Sequence, residues 1–118
     1  MPKKIFIIDD DMTALDLIDF LFEEEGFEVT RSATGISAIA LIKEADPDLI
    51  LVDLMMPQMS GIECIERIRA LEITVPIVAF TAADDRNLHE QALAAGCSTV
   101  LTKPCKPLVL LERIQALL

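Results

Sequence analysis

The sequence predicts an α/β fold, (βα)₅, with one parallel five-stranded sheet between two layers of helices. Three observations predict it. Ile5-Phe6-Ile7-Ile8, Leu49-Ile50-Leu51-Val52 and Ile77-Val78-Ala79-Phe80 are unbroken apolar runs, the pattern of strands covered on both faces. Between the strand candidates, apolar residues recur at helical spacing. Strand and helix signals alternate along the whole chain, which makes the strands parallel and the crossovers right-handed.

The first strand is Ile5 to Ile8, and the helix after it carries Leu15, Ile18 and Phe22 on one stripe and stops at Gly26. Phe27-Glu28-Val29-Thr30 alternates apolar with polar and suits an edge strand. The second helix presents Ile39 and Ile42 and ends at Asp46-Pro47. Ser60-Gly61 opens a third helix, with Ile65, Ile68 and Leu71 on its stripe. A fourth helix from Asp84 to Ala95 has only Leu88, Ala92 and Ala95 to bury, so weak packing is expected. Ser98 to Thr102 is short and half polar, the opposite edge strand. The last helix starts near Pro107 and carries Leu111, Ile114 and Leu118; Leu108, Val109 and Leu110 leave an apolar excess suited to a dimer or target surface.

With 118 residues the chain has room for one domain and one sizeable core, read as a single unit over 1–118 with no output domain. A net charge of −10 disfavours nucleic acid and anionic membrane surfaces as partners. No run is apolar for long enough to span a bilayer, and a cytoplasmic location is expected. Cys64, Cys97 and Cys105 include no CxxC pair and read as reduced, mostly buried thiols.

The chemistry lies at the ends of the strands. Asp9, Asp10 and Asp11 follow the first, Asp53 the third, Thr81 the fourth and Lys103 the fifth, whereas the second ends in Arg31-Ser32. Ligands of open α/β sheets bind beyond the carboxyl ends of the strands. A strand order of 2-1-3-4-5 gathers those residues and leaves the second strand outside. Adjacent carboxylates repel, by about 1 kcal/mol at ~4 Å in water and by more where water is scarce, so a cation among them is expected. Carboxylate oxygens, a carbonyl and waters suit Mg²⁺ or Mn²⁺. A carboxylate beside such an ion can attack phosphorus, with the lysine and hydroxyl holding the phosphoryl oxygens.

These pieces, "IIDDD", "DLILVDLMMPQMSG", "PIVAFTA" and "TKP", in this order, resemble the receiver domain of two-component response regulators, the CheY-like family, over essentially the whole chain. The resemblance implies a flavodoxin-like three-layer fold and a phosphoacceptor switch, not an enzyme turning over a separate substrate. It implies that Asp53 is phosphorylated and that Asp10, Asp53 and the Met55 carbonyl ligate Mg²⁺, with Asp9 helping through a water. Lys103, followed by the cis Pro104, pairs with Asp53 and then with the phosphoryl group; Thr81 moves to bond it, and Ala82 must be small to leave it room. Pro57 and Gly61 form the turn into the third helix, Gly61 for its dihedral freedom. A histidine kinase or histidine-phosphotransfer protein docks near the first helix and the loop after Lys103. A downstream target reads the face of the fourth helix, fifth strand and fifth helix.

Val100 departs from the family, which often has a swinging aromatic ring there; a β-branched valine cannot replace it. Met55 and Ala83 offer no side chain to orient a hydrolytic water, so slow self-dephosphorylation is expected. Asp11 reads as the N-cap of the first helix, His89 as a solvated helix residue, and Met55, Met56 and Met59 as loop-to-core packing. Two alternatives stand beside this reading. "DDDMT" also fits the D-x-D-x-T motif of haloacid-dehalogenase-like phosphatases, with Asp9 as nucleophile and Asp11 as general acid, but leaves Asp53 and its sequel unexplained. A receiver-like interaction module that takes up no phosphate is the other.

Overall fold

The computed structural model describes residues 1–118, the side chain of Ala14 excepted. In chain order the elements are β1 (Lys4–Ile8), α1 (Met12–Glu24), β2 (Glu28–Ser32), α2 (Gly35–Ala45), β3 (Leu49–Val52), α3 (Gly61–Ala70), β4 (Ile77–Thr81), α4 (Arg86–Ala95), β5 (Thr99–Thr102) and α5 (Pro107–Leu117). All strand pairs are parallel and the sheet order is β2-β1-β3-β4-β5, as expected.

Side chains alternate across the sheet, so the apolar runs feed two cores. Phe6, Ile8, Ile50, Val52, Ile77 and Ala79 pack with Ala38, Ile42, Ile65, Ile68 and Ala92 of α2, α3 and α4. Ile5, Ile7, Leu49, Leu51, Val78 and Phe80 face the other way, onto Leu15, Ile18 and Phe22 of α1 and Leu110, Leu111 and Ile114 of α5. That is the reason for unbroken apolar strands. Each fully buried aliphatic contributes about 1.5–3 kcal/mol of transfer free energy.

The helix ends follow the sequence signals. Asp11 caps α1, its Oδ1 accepting from the Thr13 N–H at 3.1 Å. Ser60 caps α3 by accepting from the Glu63 N–H at 3.2 Å, and Asp85 caps α4 through the Asn87 N–H at 2.9 Å. Gly26 and Gly96 follow their helices with φ of 89° and 124°, and Asp46 takes φ 45° at the end of α2. A guanidinium ties the far end of α4 down. Arg69 on α3 donates to the Gly96 carbonyl from Nε (3.0 Å) and from the second terminal nitrogen (2.8 Å). Its first terminal nitrogen donates to the carbonyls of Ile73 (2.9 Å) and Val75 (2.8 Å).

Several expectations are corrected. The edge strand β2 begins at Glu28 and extends to Ser32, because backbone pairing with β1 sets its limits, not its apolar alternation. Helix α4 begins at Arg86, since Asp85 is the cap. Leu118 lies past α5 and is exposed, and Leu71 is the half-buried C-cap of α3. Leu110 is buried, so the surface excess on α5 reduces to Leu108 and Val109. The methionines divide: Met59 is buried, Met56 packs against the core, and Met55 is exposed. Gly61 does not have a positive φ. A Cβ there would lie 2.3 Å from the Asp53 carbonyl oxygen and 2.5 Å from the Leu54 Cα, so glycine is required by space.

Candidate functional site

The site is assembled by strand register. Ile8 lies abreast of Val52, so the next residues, Asp9 and Asp53, leave the sheet side by side. Backbone bonds continue past the strands: the Asp53 N–H donates to the Ile8 carbonyl (2.9 Å) and the Lys103 N–H to the Thr81 carbonyl (2.7 Å). Asp9, Asp53 and Thr81 are buried, whereas Asp10 is exposed.

The two buried carboxylates are held in the same way. Asp9 Oδ1 accepts the N–H of Asp11 at 2.9 Å, and Asp53 Oδ1 accepts the N–H of Met55 at 3.0 Å. In each case the second oxygen faces Lys103, whose Nζ donates to Asp9 Oδ2 at 2.9 Å and to Asp53 Oδ2 at 3.5 Å. The ammonium also sits 5.2 Å above the centre of the Phe80 ring, within cation–π range. Lys103 therefore bridges the pair and is closer to Asp9, although the sequence pointed to Asp53. The Lys103–Pro104 peptide is cis, as expected.

Burial pushes the Asp53 carboxyl above its ordinary range; the Met55 N–H and the Lys103 charge pull it down without cancelling that, and the Asp9 charge adds to the rise. For Lys103 burial works downward, but the hydrogen bond to Asp9 and the charges of Asp53 and Asp9 outweigh it, and its pKa is raised. The lysine is firmly cationic in this pocket.

Carboxylate oxygens of Asp9, Asp10 and Asp53 lie within 4.8 Å of one another, the spacing of a cluster able to hold a metal ion. The donor set is all oxygen and two of its members are buried, which fits a hard divalent cation. Thr81 faces the same end of the sheet, with its Oγ1 accepting from the Ala83 N–H at 3.2 Å. Ala82 is exposed at the rim. Val100 is half-buried against the core beneath α4.

Two features were not anticipated. His89 is not simply solvated: its Nε2 lies 2.8 Å from the Ala83 carbonyl, on the loop that carries Ala82. A groove of about 400 Å³ runs from the site between α1 and α5, lined by Leu17, Leu21, Phe80, Lys103, Pro104 and Cys105 among others. Apolar side chains at helical spacing on α1 (Leu17, Leu21) were the signal for such a surface.

An open parallel sheet with an acidic triad able to hold a metal ion and a lysine at its carboxyl end defines an α/β domain with its chemistry at one edge. The chain belongs to the response regulator receiver domain family, whose model matches residues 5–115. It is therefore a receiver domain of two-component signalling. It is 31% identical to the alkaline phosphatase synthesis transcriptional regulatory protein PhoP of Bacillus subtilis over 118 residues, 100% of this chain and 49% of PhoP. The chain thus spans about half the length of that relative. Among solved structures it is similar to a CheY-like receiver domain protein of Methanospirillum hungatei, with 32% identity, a TM-score of 0.94 and coverage of 98% and 93% of the two chains. The CheX-CheY-BeF3-Mg²⁺ complex of Borrelia burgdorferi has a chain that is 25% identical, with a TM-score of 0.92 and coverage of 98% and 89%.

Proposed function

We propose that this chain is a phosphoacceptor switch, with Asp53 as the phosphorylated residue. The observation that carries the reading is the convergence of three carboxylates with one ammonium bridging the two buried ones. Asp53 Oδ attacks the phosphorus of a phosphohistidine or of a small donor such as acetyl phosphate. A P–O bond forms, the bond from phosphorus to the donor breaks, and the electron pair leaves with the donor. Asp53 suits the role because its Oδ1 is fixed by the Met55 N–H while burial strips water from the nucleophile. Asp10, Asp53 and the Met55 carbonyl would hold Mg²⁺ (or Mn²⁺), with Asp9 linked through a water; the ion supplies charge neutralisation on the phosphoryl oxygens. Lys103 shifts from bridging Asp9 and Asp53 to holding the phosphoryl group, and Thr81 turns to donate to it, with the small Ala82 leaving room. The domain serves its own phosphorylation and dephosphorylation and turns over no separate substrate.

The donor protein is a sensor histidine kinase or a histidine-phosphotransfer protein. The apolar groove between α1 and α5, which opens beside Lys103, supports docking there. The target protein reads α4, β5 and α5, where Leu93, Leu108 and Val109 are exposed. Residues 1–118 are read as one receiver domain acting in the cytoplasm. Among the described residues no helix is long and apolar enough to cross a membrane, and the charge of −10 supports a protein partner over nucleic acid.

The test is intact mass after incubation with acetyl phosphate and Mg²⁺. A phosphoryl adduct is expected on the wild type and on Asp9→Asn, formed more slowly there, and none on Asp53→Asn. An adduct that survives Asp53→Asn but not Asp9→Asn would instead establish the phosphatase-like chemistry at Asp9.

A further inference from the structure

Thr81 and His89 are joined through one residue. The Ala83 N–H donates to Thr81 Oγ1 at 3.2 Å, and the Ala83 carbonyl lies 2.8 Å from His89 Nε2, which makes that nitrogen the donor. His89 sits in the first turns of α4, and its own N–H donates to the carbonyl of the cap residue Asp85 at 3.0 Å. The ring therefore spans the β4–α4 loop from its helical side and fixes Ala83 at the carbonyl, while the N–H of the same residue holds the threonine hydroxyl.

We propose that His89 is a positioning residue that latches the β4–α4 loop in the resting state and opposes the turn of Thr81 toward a phosphoryl group on Asp53. The proposal rests on the phosphoacceptor reading given above. In this structure Thr81 Oγ1 is engaged within its own loop. For the hydroxyl to swing to the phosphoryl oxygens, the Ala83 N–H must release it or follow it. Following it moves Ala83, and so draws its carbonyl off the imidazole. The latch bond then exists in one state and is weakened in the other, which is the condition for biasing a two-state equilibrium. A hydrogen bond between neutral groups gives a bias of about three- to tenfold. Helix α4 fully buries only Ala92, and its first turn has the half-buried Leu88 as its core contact, so one further bond there carries weight.

Beryllofluoride with Mg²⁺, a phosphoryl mimic, is the probe, and calorimetry is the readout because the chain has no Trp or Tyr to report. His89→Phe, which keeps a ring without the donor, and His89→Ala are each expected to bind beryllofluoride about three- to tenfold more tightly than the wild type. In a Thr81→Ala background, where no hydroxyl has to be released, the same substitutions are expected to change nothing. The ¹⁵N spectrum of the wild-type imidazole should place the ring proton on Nε2. Affinity unchanged or lowered in both His89 variants overturns the latch, as does tightening that persists without Thr81. A folded wild type that fails to bind the probe defeats the phosphoacceptor reading itself, which separates that failure from failure of the latch.

Discussion

Lys103 is held more closely by Asp9 than by Asp53: its ammonium is 2.9 Å from one carboxylate and 3.5 Å from the other. Asp53 thus has the weaker share of the cation bridging the buried pair, and burial keeps its pKa raised. The proposed nucleophile is the less compensated of the two buried carboxylates, as expected where function and stability compete.

Asp53→Asn should therefore stabilise the fold near neutral pH, by a few degrees in Tm. The sign follows from linkage. A carboxyl whose folded pKa is raised favours the folded state fully only below its unfolded value, 3.8, and loses that contribution as pH rises through the folded value. The advantage of Asp53→Asn should grow over that interval and vanish in acid. Lys103, also raised, should contribute stability that is complete below 10.5 and lost as pH rises beyond it. Thermal melts of wild type and variant across pH check both limbs.

Mg²⁺ should raise the Tm of the wild type in proportion to the logarithm of its concentration once the site is saturated. Asp10 is exposed, and removing it takes away a ligand without opening the core. Asp10→Ala should keep the metal-free Tm within about 2 °C, since surface changes stay within about ±0.5 kcal/mol, and lose most of the Mg²⁺ increment. Equal Mg²⁺ increments in the two proteins would place the ion elsewhere.

Gly61→Ala should destabilise the fold by about 1–3 kcal/mol, the usual cost of overpacking. The added methyl would collide with the Asp53 carbonyl and the Leu54 Cα, both backbone and unable to step aside. The strand end carrying Asp53 must move, so acetyl phosphate labelling should fall even in molecules that remain folded. Denaturant melts and intact-mass labelling on the same samples separate the two effects.

The thiols should react in two classes. Cys64 and Cys97 are buried, and burial pushes the Cys64 thiol up to about 11 and the Cys97 thiol upward. Cys105 is partly exposed on the wall of the α1–α5 groove. Native protein should titrate one thiol rapidly with an aromatic disulfide reagent and all three only in denaturant. Fast reaction of two or more native thiols would show that the α2–α4 side of the core opens readily.

The three central strands were legible because each is covered on both faces and carries four apolar residues in a row. The strand order was legible only through chemistry: hydrophobicity treats Arg31-Ser32 and Asp53 alike as strand ends, while a cation site does not. Edge strand β2 was displaced in the reading because half of its limits are set by hydrogen bonds to β1, which leave no hydrophobic trace. Gly61 showed itself as important for the wrong reason, since the backbone that would clash with a side chain there is that of Asp53 and Leu54, just past β3, and is near only after folding. His89 left no signal at all. Its partner is a main-chain carbonyl, and main-chain partners carry no sequence signature.

Arg69 grips the Gly96 carbonyl through two nitrogens and the α3–β4 connection through a third. The opposite end of α4 has its cap, one imidazole contact and the half-buried Leu88 against the core. A ten-residue helix held more firmly at its far end than at its near end is a lever of about 15 Å. Turning about Gly96 would displace Arg86 most and Ala95 least, so the proposed switch at Thr81 would be delivered as a sweep of the near end of α4. On the proposed reading, a target would gain most by gripping the helix at its Arg86 end.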